Sequence, residues 1–200
     1  MKIKEQFCCF LYYTIHLAKH NNMNVTNQQY DTVIQQCKKI FIQKAADYGT
    51  AWRVLRIISV ADQIFIKALR IRTIQDKKMQ LVADDIGSEF KAIVNYAVIG
   101  LIQLEIGNAR VEEIPVAQVE EWYEKQIQIT KNIMQNKNHD YGEAWREMSQ
   151  ESFADLILMK LMRIKQILAN DGKTIVSEGI DANFIDIINY AVFALILMQE

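Results

Sequence analysis

Two hundred residues, half of them apolar, are enough to bury a sizeable core without covalent staples. Lysine and arginine number 23 against 24 acids, so the chain lacks the basic excess with which proteins hold nucleic-acid polymers, and the balance argues against such a partner. One proline and seven glycines favour helices over many short strands, and the three cysteines, Cys8, Cys9 and Cys37, make a poor disulfide framework and suit a reducing, cytoplasmic setting.

Residues 1–26 read as an extension, either an extra helix or sequence ahead of a start at Met23. Its apolar stretch 7–17 follows Lys2 and Lys4 as in a signal peptide, yet Glu5 precedes it and no small-residue cleavage site follows. The stretch is also too short to span a bilayer as a helix, so no membrane is expected. His16 and His20, one helical turn apart, have metal-ligand spacing but stand outside the pattern that organises the rest.

That pattern is a duplication. A shift of 93 residues carries Lys44, Asp47, Tyr48, Gly49, Ala51, Trp52 and Arg53 onto Lys137, Asp140, Tyr141, Gly142, Ala144, Trp145 and Arg146. The same shift takes Ser59, Asp62, Lys67 and Arg70 to Ser152, Asp155, Lys160 and Arg163. A shift of 94 then aligns Phe90, Ile93, Asn95, Tyr96 and Ala97 with Phe184, Ile187, Asn189, Tyr190 and Ala191. The units are 27–107 and 119–200, joined by a linker at 108–118 that holds the single proline, Pro115.

Each unit reads as three helices. The first, 29–46 or 119–138, has apolar residues at helical spacing and ends at the glycine of Asp-Tyr-Gly. The second starts near Ser59 or Ser152, where Ser-x-x-Asp precedes an apolar run, and reaches 74 or 168. Whether 51–58 is a separate short helix is left open. The third, 88–105 or 182–198, is apolar nearly all round, which marks a helix buried in a bundle. The expected fold is all-α, with tandem helical units packed about a pseudo-two-fold axis; a homo-oligomer is left open.

Several polar residues survive in both copies. Ser59, Asp62, Lys67 and Arg70 occupy less than half the circumference of their helix, as do Ser152, Asp155, Lys160 and Arg163. Such a face suits a phosphorylated small molecule, because arginine grips phosphate bidentately and lysine adds a point charge. The plainer reading is a helix cap and a solvated face. In Asp-Tyr-Gly-x-Ala-Trp-Arg, Asp47 and Arg53, with Asp140 and Arg146, either rigidify a turn or face a ligand. Trp52 and Trp145 either stack on a base or anchor the core. Asn95 and Asn189 interrupt the apolar third helices and complete the candidate ligand-binding set. Glu89-x-x-Ala92 in one copy faces Asn183-x-x-Asp186 in the other, a carboxylate at opposite ends of an i, i+3 pair whose spacing suits Mg²⁺.

Lys-x-x-Asp-Tyr-Gly-x-Ala-Trp-Arg, Ser-x-x-Asp-x-x-x-x-Lys-x-x-Arg and Phe-x-x-Ile-x-Asn-Tyr-Ala, each present twice, resemble bacterial proteins that carry the nucleotide-modification-associated domain 1 in tandem. More distantly they resemble the MazG-type all-α nucleotide pyrophosphohydrolases. That resemblance implies nucleotide binding, with hydrolysis of a nucleoside triphosphate or modified deoxynucleotide as its enzymatic form. Mg²⁺ would then be held by Asp62, Asp155, Asp186 and Glu89, with phosphates neutralised by Lys67, Arg70, Lys160 and Arg163. This chain departs from the hydrolase pattern, having Ser-x-x-Asp where the hydrolases have Glu-x-x-Glu. The competing expectation is a helical interaction module whose repeated polar groups form buried networks that dock the two copies.

Overall fold

The computed structural model describes the chain apart from Met1, Val82 and residues 108–112, with side chains from residue 24 onward. The side chains of His16 and His20, and much of the expected linker, therefore lie outside what is described. Among the described residues every regular element is helical. The first copy contains α1 (Lys2–Tyr48), a 3-10 turn (Ala51–Val54), α2 (Ile57–Lys77) and α3 (Ile86–Ile106). The second repeats the order with α4 (Val116–Tyr141), a 3-10 turn (Ala144–Glu147), α5 (Gln150–Ala169) and α6 (Ile180–Leu197).

Local chemistry accounts for the breaks. Gly49 and Gly142 stop α1 and α4 in the left-handed region at φ 63° and 61°, their N–H groups returning to Ala45 and Asn138 oxygens at 2.9 Å. A Cβ at Gly49 would lie 2.5 Å from a carboxylate oxygen of the exposed Glu113 side chain, which can move aside, so it is the backbone conformation that favours glycine there. The segment left open at 51–58 is a separate 3-10 turn followed by an extended residue, Leu55 or Met148. As a result α2 and α5 start earlier than their serines suggest. Ser59 and Ser152 lie inside the first turn rather than at the cap, and the Ser152 hydroxyl shares a 2.9 Å hydrogen bond with that of Ser149.

The centre of the bundle is the α3–α6 pair, flanked by α2 and α5, with α1 and α4 crossing both central helices. Phe90, Ile93, Val94, Ala97 and Val98 are fully buried on α3, as are Phe184, Ile187, Ile188, Ala191 and Val192 on α6. Gly100 lets the two approach, since a Cβ there would stand 2.7 Å from the Phe184 ring. Corresponding helices meet one another: α1 packs on α4, α2 on α5 and α3 on α6. That self-pairing is the arrangement a two-fold axis produces. By length and composition α6 passes for a membrane span, but 72% of it is buried inside the bundle, as befits a core helix.

Candidate functional site

The residues kept in both copies separate into two groups. One group lies across the pseudo-two-fold. The Tyr30 hydroxyl of α1 donates to Asn189 Oδ1 of α6 at 3.0 Å, and the Tyr123 hydroxyl of α4 donates to Asn95 Oδ1 of α3 at the same distance. Asn95 also donates to the Cys37 carbonyl at 3.0 Å. All of these side chains are buried, so each hydrogen bond satisfies groups that have no water to turn to. Burial raises both tyrosine hydroxyls well above their ordinary range and pushes the Cys37 thiol up from its ordinary 9.0 to about 12.

The aspartates of the second helices follow the same rule. Asp62 pairs with Lys165 of α5 at 2.7 Å, and Asp155 pairs with Arg72 of α2 at 3.6 Å. On the first helices, Lys38 reaches Glu120 at 2.8 Å and also Glu124, while Lys131 reaches Asp31 at 2.6 Å. Each partner set links one copy to the other. Tyr30 and Tyr123, Arg72 and Lys165, and Lys38 and Lys131 all stand 93 residues apart, so the register that exposed the repeat also marked them.

The second group surrounds a cavity of about 540 Å³ in the first copy, between the end of α1, the 3-10 turn, α2 and the start of α3. Lys44, Lys67 and Lys91 line it together with Asp84 and Glu89, and Phe41, Tyr48, Trp52 and Tyr96 supply flat apolar surface. Glu89, only 8% exposed, receives hydrogen bonds from Lys67 Nζ at 3.3 Å and from Arg70 Nη1. Arg70 Nη2 donates to the Asp84 carbonyl at 2.7 Å, tying the loop before α3 to α2. Lys67 Nζ also stands 5.8 Å from the centre of the Tyr96 ring. Burial, with the nearby Tyr48 hydroxyl, raises the pKa of Tyr96. The Trp52 indole N–H is shielded and has no acceptor among the described residues.

The second copy carries the same cations in a different state. Asp186, 6% exposed, accepts from Lys137 Nζ at 2.7 Å and from Lys160 Nζ. Burial opposes charge on Lys137, but the Asp186 carboxylate outweighs it and raises its pKa. Arg163, the counterpart of Arg70, is exposed. Trp145 is buried and stacked on Phe193, with centroids 4.3 Å apart and planes 3° from parallel, and the Arg146 guanidinium lies 4.3 Å from its ring centre.

Several expected ligand residues stand elsewhere. Arg53 bonds to Gln103, which in turn donates to the Leu55 carbonyl at 2.7 Å, so this arginine fastens the 3-10 turn to α3. Arg146 is spread over Glu143, Glu200, Thr26 and Gln29 at 2.6–3.0 Å and fastens the matching turn to α1 and to the last residue. Asp47 is exposed beside an adjoining groove lined by Glu113 to Val116, and Asp140 is exposed and 3.0 Å from His139 Nδ1. Asn95 lines the cavity with its amide already engaged. Lys44, present in the repeat but not in the expected set, is brought to the cavity because it lies one turn before the end of α1.

Magnesium does not fit these acids as arranged. Glu89 and Asp186 are each held by two cationic side chains, Asp62 and Asp155 lie half-exposed at the α2–α5 contact, and among the described residues no three His, Cys, Asp or Glu side chains converge.

No curated protein and no solved structure matches the chain. The family described as nucleotide modification associated domain 1 matches twice, over residues 44–104 and 137–198, segments that begin at Lys44 and at its counterpart Lys137 and run to the ends of the third helices. Together the two matches cover more than half of the chain, and the protein belongs to that family as a tandem of its domain.

Proposed function

We propose that the protein binds a phosphorylated nucleotide in the cavity of its first copy. The observation that carries this reading is that one cavity is lined both by three lysines, Lys44, Lys67 and Lys91, and by the rings of Tyr48, Trp52 and Tyr96. Lysines attract phosphate as point charges, and flat aromatic surface accepts a base by stacking. Glu89 orients Lys67 and Arg70 rather than repelling the ligand, because its charge is neutralised by both. The volume, about 540 Å³, falls in the range of small-molecule sites. The family's name, which associates the domain with nucleotide modification, is compatible with such a ligand. The proposal stops at binding, because Glu89 and Asp186, the third-helix acids that a metal would need, are each paired with two cations.

Thermal shift of the full chain against a panel of nucleoside and deoxynucleoside mono- and triphosphates, with and without Mg²⁺, tests the reading. At least one member is expected to raise Tm, and Lys67→Ala to weaken that ligand by about tenfold or more. A flat response across the panel defeats it.

A second reading applies to the other half of the repeated residues. The reciprocal Tyr30–Asn189 and Tyr123–Asn95 hydrogen bonds favour a docking role for both asparagines, in which they fix the copies against each other.

A further inference from the structure

Both copies bring two lysines from corresponding positions to the same place, Lys44 and Lys67 in one and Lys137 and Lys160 in the other. What lies between them differs. In the second copy Asp186 presents Oδ1 to Lys137 at 2.7 Å and Oδ2 to Lys160. In the first copy the corresponding residue is Ala92, a cavity-lining methyl. Lys67 turns instead to Glu89 at 3.3 Å, one helical turn before Ala92, where the second copy has Asn183. Lys44 makes no hydrogen bond or ion pair among the described residues. Three lysines and two acids line the cavity, and Arg70 also reaches the Glu89 carboxylate, so cations outnumber acids around it.

We infer that the space above Ala92, between Lys44 and Lys67, is an oxyanion subsite that takes a phosphate group, and that Asp186 is the chain's own anion filling the equivalent place in the second copy. The two halves of the duplication then serve different ends, one open to a ligand and the other closed on itself, and the chain carries one anion site instead of two. A carboxylate bridging two ammonium groups is the geometry a phosphate oxygen pair would adopt, so the second copy displays with a covalently attached anion what the first offers to a free one. The inference rests on the cavity being the ligand site proposed above, but it concerns the anion alone and makes no use of base recognition.

Isothermal titration of the full chain with inorganic pyrophosphate at low ionic strength measures the number of sites. The wild type is expected to bind one per chain. Glu89→Asn with Ala92→Asp writes the second copy's pair into the first and is expected to weaken pyrophosphate by at least about tenfold. Asn183→Glu with Asp186→Ala writes the first copy's pair into the second and is expected to raise the count to two. Both double variants keep a carboxylate against the inner lysine, so each fold is charge-compensated. Lys44→Gln, at an exposed position, gives a third reading without touching the core, and is expected to weaken pyrophosphate by a similar factor at unchanged Tm.

No pyrophosphate binding by the wild type, undiminished binding in the Glu89→Asn, Ala92→Asp variant or in Lys44→Gln, or a count that stays at one in the opened variant overturns the subsite. Nucleotide binding that survives the closing substitutions removes the subsite and leaves the nucleotide reading standing. Pyrophosphate binding that follows the expected pattern, with no nucleotide bound, supports the subsite and removes the nucleotide reading.

Discussion

Tyr30 and Tyr123 show at the scale of single atoms why a buried polar group is retained through duplication. Each hydroxyl meets an asparagine of the opposite copy, and neither partner has access to water. Tyr30→Phe removes a donor and leaves Asn189 Oδ1 without it, an outcome expected to cost about 1–3 kcal/mol in chemical denaturation. The same burial sets an alkaline limit. Cys37, Tyr30 and Tyr123 keep their protons in the folded chain at pH values where the unfolded chain has released them. Stability is therefore fully present below pH 9 and is lost as pH rises above the ordinary cysteine and tyrosine values, by about 1.4 kcal/mol per pH unit for each group. Urea midpoints between pH 8 and 11 check this, and Tyr123→Phe is expected to flatten the decline by one group's share. Lys160 and Asp186 are costlier to disturb: Lys160→Met leaves a buried carboxylate with one partner in place of two, and a loss of about 3 kcal/mol is expected.

Between elements the effects are smaller. Asp155 and Arg72 are more than half exposed and 3.6 Å apart, so their link between α2 and α5 is worth less than about 1 kcal/mol. Asp155→Asn is accordingly expected to move Tm by no more than about 3 °C and to leave any nucleotide-induced shift intact. A lost ligand response would instead return Asp155 to the binding machinery. The turns after α1 and α4 respond alike to the same change, because both place glycine in the left-handed region. At Gly142 nothing lies within 4 Å of an added Cβ, so Gly142→Ala meets only the left-handed backbone and is expected to cost about 1–2 kcal/mol. Gly49→Ala has nearly the same φ, and the exposed Glu113 carboxylate it approaches can swing aside, so it is expected to cost about as much as its counterpart by the same denaturation assay.

For the whole molecule, the arrangement of α1 and α4 decides how it unfolds. Each crosses both α3 and α6, and the central pair buries its apolar surface against the other copy as much as against its own. A single repeat would expose one side of a helix that is apolar nearly all round. Residues 113–200 expressed alone are therefore expected to lack a cooperative melting transition in far-UV circular dichroism, whereas the full chain unfolds in one step. A cooperative fragment would mean that the copies are independent domains.

The chain by itself determined that the protein is helical, that it is duplicated, and that its first helices end at Gly49 and Gly142, because apolar spacing, glycine at a helix end and a 93-residue register are local or self-referential properties of sequence. It also showed which polar residues were kept. What it did not contain was the neighbour each of them meets. Helical spacing places Asp62, Lys67 and Arg70 on one broad face, yet that face is wide enough to touch two elements: Asp62 turns to α5, while Lys67 and Arg70 turn to α3. Asn95 and Asn189 read as ligand groups until the tyrosines of the opposite copy were brought beside them. The difference between Ala92 and Asp186 was legible as a substitution, but only the packing of α3 on α1 and α2, and of α6 on α4 and α5, decided that one opens a space between two lysines and the other fills it.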